Sequence, residues 1–352
     1  MLVVFNHAAL LALEVGRGTG DAAWGLNEPL ANLGGIGVDV FFVISGFVMT
    51  LSARSFQGPG GAAEFAALRF VRIAPLFYFF CAVQAGNLLM AGVDIGRNSV
   101  LNSIFFIPFF DKDQYSWPIH FLGWSLAFET LFYVVVAALI ALGRSAEASA
   151  ILLPLMVLPL IGFAVGDGRA FQDMFLNPIM WEFALGVIAF MLWERGTLRR
   201  IRPWLLPLVA LAFGILVLAA ARGEGFFGAG GTVAGESSLA RVVLWGLPAF
   251  GLMCLALGVE KIHAGRIATP FRMIGDASYS IYLSHLFVVE AARQFTERWP
   301  LTPAMALWAT FALSAVVGWV VYRLLEDPML KFGRGRVRDA TRWLRAAPGR
   351  SV

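Results

Sequence analysis

Charge is what this chain has least of. Only 14% of its 352 residues are Asp, Glu, Lys or Arg, where a soluble domain carries about 25%. The 23 acids stand against 31 Phe and 11 Trp, and hydrophobic residues make up 59% of the chain. Mean hydropathy is +0.74. Too little polar surface exists to wrap such a chain in water, which excludes a soluble enzyme and also a disordered protein. Cysteine is nearly absent. Cys81 and Cys254 both fall in apolar runs, so there is no disulfide framework and no metal-ligand spacing, and both read as small buried side chains. No internal repeat or second globular domain is visible. The first run, MLVVFNH, has no basic leader and does not read as a signal peptide; it reads as a helix whose first turns lie upstream of Met1.

What is present is apolar length. About 20 apolar residues cross a bilayer core, and ten windows approach that: 1–15, 35–53, 73–92, 119–142, 149–166, 174–193, 203–221, 240–259, 274–295 and 304–325. The expected fold is therefore all-α, a polytopic membrane protein of about ten transmembrane helices. The short apolar stretch 99–110 reads as interfacial. One set of connections (54–72, 143–148, 194–202, 260–273 and the tail from 326) holds 18 Lys and Arg, and the alternate set holds 8. The positive-inside rule places the richer set in the cytoplasm, with both termini. The net charge of +4 is thus a topology signal. The tail reads as a solvated basic arm against anionic headgroups, and nucleic acid is not an expected partner.

An ionisable side chain inside a span costs at least about 2.5–3.5 kcal/mol unless it is paired or wet, so each is a functional candidate. His7 follows Asn6 in the first window, and an imidazole is the usual base for a hydroxyl proton near neutral pH. Glu14 shares its face but lies near the outer end. In the second window Asp39 and Ser45 follow glycines 34, 35 and 37, which permit close approach of a helix or a substrate. In the fourth, Ser125, Glu129 and Tyr133 are spaced i, i+4, i+8, one polar stripe on an otherwise apolar helix. In the ninth, Ser278, Tyr282 and His285 line a face with Tyr279 adjacent. Arg69 and Arg72 stand i, i+3 at the cytoplasmic end of the third window. They could clamp phosphate oxygens or simply anchor topology. Glu182, beside Trp181, is a weaker candidate, and His120 and His263 receive no role.

Six motifs then stand in order: VVFNH ending at His7, GVDVFFVISGF over 37–47, RFVRIAP over 69–75, WSLAFE over 124–129 with FY at 132–133, SYSIYLSH over 278–285 and EDP over 326–328. Over essentially the whole chain they resemble the integral-membrane acyltransferase-3 family of O-acyltransferases. FFIPFFD over 105–111 and WEFALG over 181–186 are similar to its branch that acetylates bacterial exopolysaccharides. The resemblance implies ten transmembrane helices, acetyl-CoA as co-substrate without a metal, and a carbohydrate hydroxyl, polymeric or lipid-linked, as acceptor. It implies a place in the bacterial inner membrane among its lipids. His7 matches the family's essential histidine, and Arg69 and Arg72 its paired arginines near the CoA side. An arginine that the family has upstream of this histidine would fall before Met1.

The expected arrangement is an acyltransferase domain over 1–330, its first helix truncated, and a basic cytoplasmic tail over 331–352. His7 would deprotonate the acceptor or first carry the acetyl group, with Glu129 orienting or neutralising it. Asp39, Ser45, Ser125, Tyr133, Ser278, Tyr279, Tyr282 and His285 would support the acceptor or the developing oxyanion. The rival reading is a proton-coupled transporter or a flippase of lipid-linked sugar, in which the same residues form a proton relay. Inverted repeats would favour it, and none is visible.

Overall fold

In lipid an unpaired backbone amide costs several kcal/mol, so a chain this apolar has little choice but helices. The computed structural model describes residues 1–20, 26–111, 114–144, 147–165, 176–221, 227–258, 268–299 and 301–346. Its helices are α1 (Leu2–Thr19), α2 (Glu28–Asn32), α3 (Gly37–Ala53), α4 (Gly58–Met90), α5 (Arg97–Phe105), α6 (Gly123–Ala141), α7 (Ala148–Val165) and α8 (Met180–Glu194). They continue as α9 (Thr197–Ala221), α10 (Ala229–Val233), α11 (Ser238–Arg241), α12 (Leu247–Gly258), α13 (Ala268–Asp276), α14 (Ser278–Arg298), α15 (Pro303–Val321) and α16 (Asp327–Ala346). A two-residue antiparallel ladder, Phe110–Asp111 against Gln114–Tyr115, interrupts them. The chain is an all-α membrane protein.

Six segments among the described residues are long and apolar enough to span a bilayer: Glu28–Ala53, Gly58–Met90, Gly123–Ala141, Ala148–Val165, Ser238–Gly258 and Pro303–Thr341. The other four windows are also helices, with identifiable shortfalls. In α1, Asn6, His7, Glu14 and Arg17 dilute the apolar run. Helix α8 has 15 residues, about 22 Å of rise. Helix α9 begins on arginines and has its apolar part over Trp204–Ala219, whose Leu206, Leu208, Leu211 and Leu218 point outward. The second half of α14 holds Glu290, Arg293, Glu297 and Arg298. The stretch expected to be interfacial contains the short helix α5, and Cys81 and Cys254 are free and buried. His263 lies outside the described residues.

Glycine sets the closest approaches. A Cβ on Gly34 would strike the Leu2 carbonyl and Asn6, and one on Gly37 would strike Val3. Gly34 and Gly37 therefore admit α1, and Gly35 admits the Trp245 ring. Where α3 crosses α8, a Cβ on Gly46 would collide with the Phe183 carbonyl, and one on Gly186 with the Val43 carbonyl. Because each glycine faces the other helix's backbone, neither helix can yield by rotating a side chain. Gly186→Ala is expected to destabilise the protein by about 1–3 kcal/mol. Thermal unfolding of the detergent-solubilised protein reads this, and an unchanged melting point would contradict the packing.

Two stretches widen to π-helix, Val242–Gly246 and Tyr322–Glu326. Each abuts a buried charge, Arg241 before the first and Glu326 at the end of the second. Such turns are common at functional sites.

The basic tail departs from the expected solvated arm. Over its described part it is helical, and Gly333 lies against Val71 of α4, where a Cβ would not fit. Leu330, Gly333 and Val337 recur at helical spacing, so one face of α16 can pack while the rest stays solvated.

Candidate active site

A cavity of about 470 Å³ opens between α1, α3, α4, α6 and α14. The stripe on α6 places Ser125, Glu129 and Tyr133 on its wall, α3 adds Ser45, α4 adds Arg69 and Arg72, and α14 adds Ser278, Tyr279 and Tyr282. The remainder of the lining is apolar and includes Leu2, Val3, Val38, Phe41 and Ile44. A greasy pocket with a few convergent polar groups is the usual form of a small-molecule site.

Those polar groups hold one another. Glu129, buried, accepts a hydrogen bond from the Tyr133 hydroxyl and a longer one of 3.4 Å from Ser45 Oγ. The Ser125 and Tyr282 hydroxyls lie 2.9 Å apart, and both reach the Leu122 carbonyl. That carbonyl only accepts, so both hydroxyl protons are used within the trio and the pair offers the cavity lone pairs. Tyr279 donates to the Ile73 carbonyl at 2.8 Å, and the Arg72 guanidinium lies over its ring. Arg72 also pairs with Glu326, which accepts from the backbone N–H and hydroxyl of Ser280. Arg69 donates to Ser52 Oγ at 3.0 Å, while its Nε is buried without a partner among the described residues. The two arginines thus differ: Arg72 is fixed by a carboxylate, and Arg69 has hydrogen-bonding capacity left.

Three expected site residues do not line the cavity. His7 and His285 form a pair just beyond it, with ring centroids 5.2 Å apart. His7 lies about one turn further along α1 than Val3 and Val4, which do line it. His285 Nδ1 sits 2.6 Å from the Tyr282 carbonyl. A carbonyl can only accept, so this contact assigns the proton to Nδ1 and leaves Nε2 a bare lone pair. Nε2 is buried with no partner among the described residues. Tyr282, with its ring centroid 6.0 Å from that of His285, connects the pair to the cavity.

Asp39 is the third. Both its oxygens are committed to Arg241, at 2.8 and 2.9 Å, and both residues are buried. Arg241 also donates to Thr232 Oγ1 and lies over the rings of Trp245 and Trp124. Glu182 adjoins the same ion pair. Fully buried, paired with Arg241 and outside the cavity lining, the Asp39 carboxylate is out of reach of an acceptor in the cavity.

Sequence reasoning passed over Arg241, which looks like a topology anchor at a helix start. It also passed over Glu326, although the EDP motif marked the position. His120 is packed among Phe77, Phe80 and Phe287. Among the described residues no group of three or more His, Cys, Asp or Glu side chains could hold a metal ion.

A bundle of apolar helices around a half-polar cavity, with a histidine pair at its inner end and arginines in its wall, defines a multi-pass membrane enzyme. Residues 1–323 match the model of the acyltransferase domain family. The chain belongs to that family and is an acyltransferase. It is 31% identical over 318 residues to the exopolysaccharide production protein ExoZ of Rhizobium meliloti, covering 86% of this chain and 92% of that one. It is 28% identical over 274 residues to BcsY of Komagataeibacter xylinus, whose name marks it as a candidate membrane-bound transacylase, covering 72% and 65%. It is 24% identical over 328 residues to nodulation protein 10 of Rhizobium leguminosarum bv. viciae, covering 84% and 82%. No solved structure matches the chain.

Proposed function

We propose that the protein transfers an acetyl group from acetyl-CoA to a hydroxyl of an exported carbohydrate, an exopolysaccharide or its lipid-linked precursor, in the bacterial inner membrane. The observation that supports this most is the polarity of the cavity. Arg69 and Arg72 stand in its wall, and Tyr282 leads on to His7 and His285. A donor with a phosphorylated head and a long thin arm ending in a thioester has that same order of chemistry.

In this reading all ten windows span the bilayer, with both termini in the cytoplasm. Residues 1–330 form the catalytic domain and 331–352 a basic tail. The donor's phosphates meet Arg69 and Arg72 from the cytoplasm, and its thioester lies among Ser125, Glu129, Ser278 and Tyr282. His7 takes the proton from the acceptor hydroxyl as that oxygen attacks the acyl carbon. The C–S bond breaks, and the thiolate leaves and takes the proton that His7 collected, which restores the neutral imidazole. The Ser125–Tyr282 pair lies beside the oxyanion, and one hydroxyl donates to it by turning away from the Leu122 carbonyl. Glu129, held by Tyr133 and Ser45, offsets the positive charge that develops on His7, and Tyr279 holds Arg72 in place. The ExoZ likeness supports an exopolysaccharide as acceptor.

The purified protein given radiolabelled acetyl-CoA and bacterial exopolysaccharide is expected to release CoA and label the polymer. Labelled polymer should lose its label to mild base, as an ester does. Uptake of sugar into vesicles without CoA release would replace this reading with a transporter.

A further inference from the structure

The cluster of positive charge beside the cavity is larger than the arginine pair on α4. Helix α16 crosses α4 at Val71, between Arg69 and Arg72, and the missing side chain of Gly333 permits that approach. The next residue is Arg334. It shares the α4-facing stripe with Leu330, Gly333 and Val337, at i, i+3, i+4 and i+7. Arg72 and Arg334 are the like-charged neighbours that act on Arg69.

Glu326 pairs with Arg72, and Glu129 acts on Arg69 and Arg72 from the cavity side, so the uncompensated charge of the three guanidiniums lies at the Arg334 end. Arg334 is exposed, and neither an ion pair nor a hydrogen bond engages it among the described residues. Lys331 pairs with Asp327, and Arg336 lies over Phe332 on the opposite side of the helix. Three cations against two carboxylates leave a net positive charge, which an anion relieves. The cluster also has depth, since Arg69 is half-buried and Arg334 is outside it. An elongated anion with two separated phosphate groups fits that layout.

We propose that Arg334 binds the ribose 3′-phosphate of the acyl-CoA donor, outside the pyrophosphate held by Arg69 and Arg72. This rests on the acyl-CoA reading above and assigns a determinant of donor recognition to the C-terminal helix. Arg334 faces α4 rather than away from it, which favours a ligand entering the cavity over a headgroup of the surrounding bilayer.

The test compares acetyl-CoA with acetyl-3′-dephospho-CoA, using wild type and Arg334→Gln in an uncharged detergent. With acetyl-CoA the variant is expected to raise KM by about 3- to 10-fold, with kcat within about 2-fold. With the dephospho donor the two proteins should coincide, because the group that Arg334 reads is gone. Arg334→Lys should recover part of the loss. Equal loss on both donors, or a fall in kcat alone, would overturn the proposal in favour of a packing role. A difference that emerges only in nanodiscs containing anionic lipid would overturn it in favour of headgroup binding. If wild type uses neither thioester, the donor reading itself fails, and that result is distinct from wild type and variant behaving alike.

Discussion

His7→Ala is expected to lower acetyl transfer by about 10²- to 10⁴-fold, the range lost with a general base, while the protein still inserts and migrates as a folded species in detergent. His7 is half-buried, it faces His285 at 5.2 Å, and it lies one turn beyond residues that line the cavity. His285 has its Nδ1 tied to a carbonyl, so its bare Nε2 can accept a proton but not donate one. That makes His285 a partner able to support an imidazolium at His7. His285→Ala should then reduce turnover less than His7→Ala does. Turnover is read as CoA release from acetyl-CoA with purified protein and an acceptor polysaccharide. A His7→Ala protein with wild-type turnover would sink the catalytic assignment.

The second large effect is on stability. Arg241→Ala is expected to destabilise the protein by about 3–5 kcal/mol, the cost of breaking a buried pair from one side. Asp39, with both oxygens on Arg241, is fully buried, and the variant leaves it without a cation. Asp39→Asn with Arg241→Met removes both charges and should recover part of the loss, which a double-mutant cycle measures. Glu182→Gln should change little. Both of Arg241's hydrogen bonds to a carboxylate go to Asp39, so none is lost with the Glu182 charge. Chemical denaturation in mixed micelles would register these differences, and an Arg241→Ala protein as stable as wild type would contradict the account.

Local spacing carried most of what could be read without coordinates. The i, i+4, i+8 stripe of Ser125, Glu129 and Tyr133 became a cavity wall because a helix preserves its own face wherever it packs. Tyr279 and Tyr282 followed for the same reason. Pairings between distant segments were not legible. Arg241 looked like an anchor because its partner lies 202 residues away, and no local pattern joins them. Asp39 was therefore offered to the substrate when it belongs to the scaffold. The glycines at 34 and 37 could have faced a helix or a ligand, and only the position of α1 decided between them. Docking of the tail depended on Gly333 meeting Val71, a contact between residues whose own neighbourhoods show nothing unusual.

The separation of Asp39 from Arg241 has a consequence for biosynthesis. At bacterial or slower elongation rates, 202 residues take roughly 10–40 s to synthesise. During that interval α3 has left the ribosome and its counter-ion does not yet exist. Until then the Asp39 carboxylate lacks the partner that holds it in the finished bundle, and an unpaired carboxylate is costly away from headgroup water. Burying α3 around that carboxylate is therefore unfavourable when the helix is first made. It settles only after α11 arrives, so the first half of the chain waits for the second before the bundle can close.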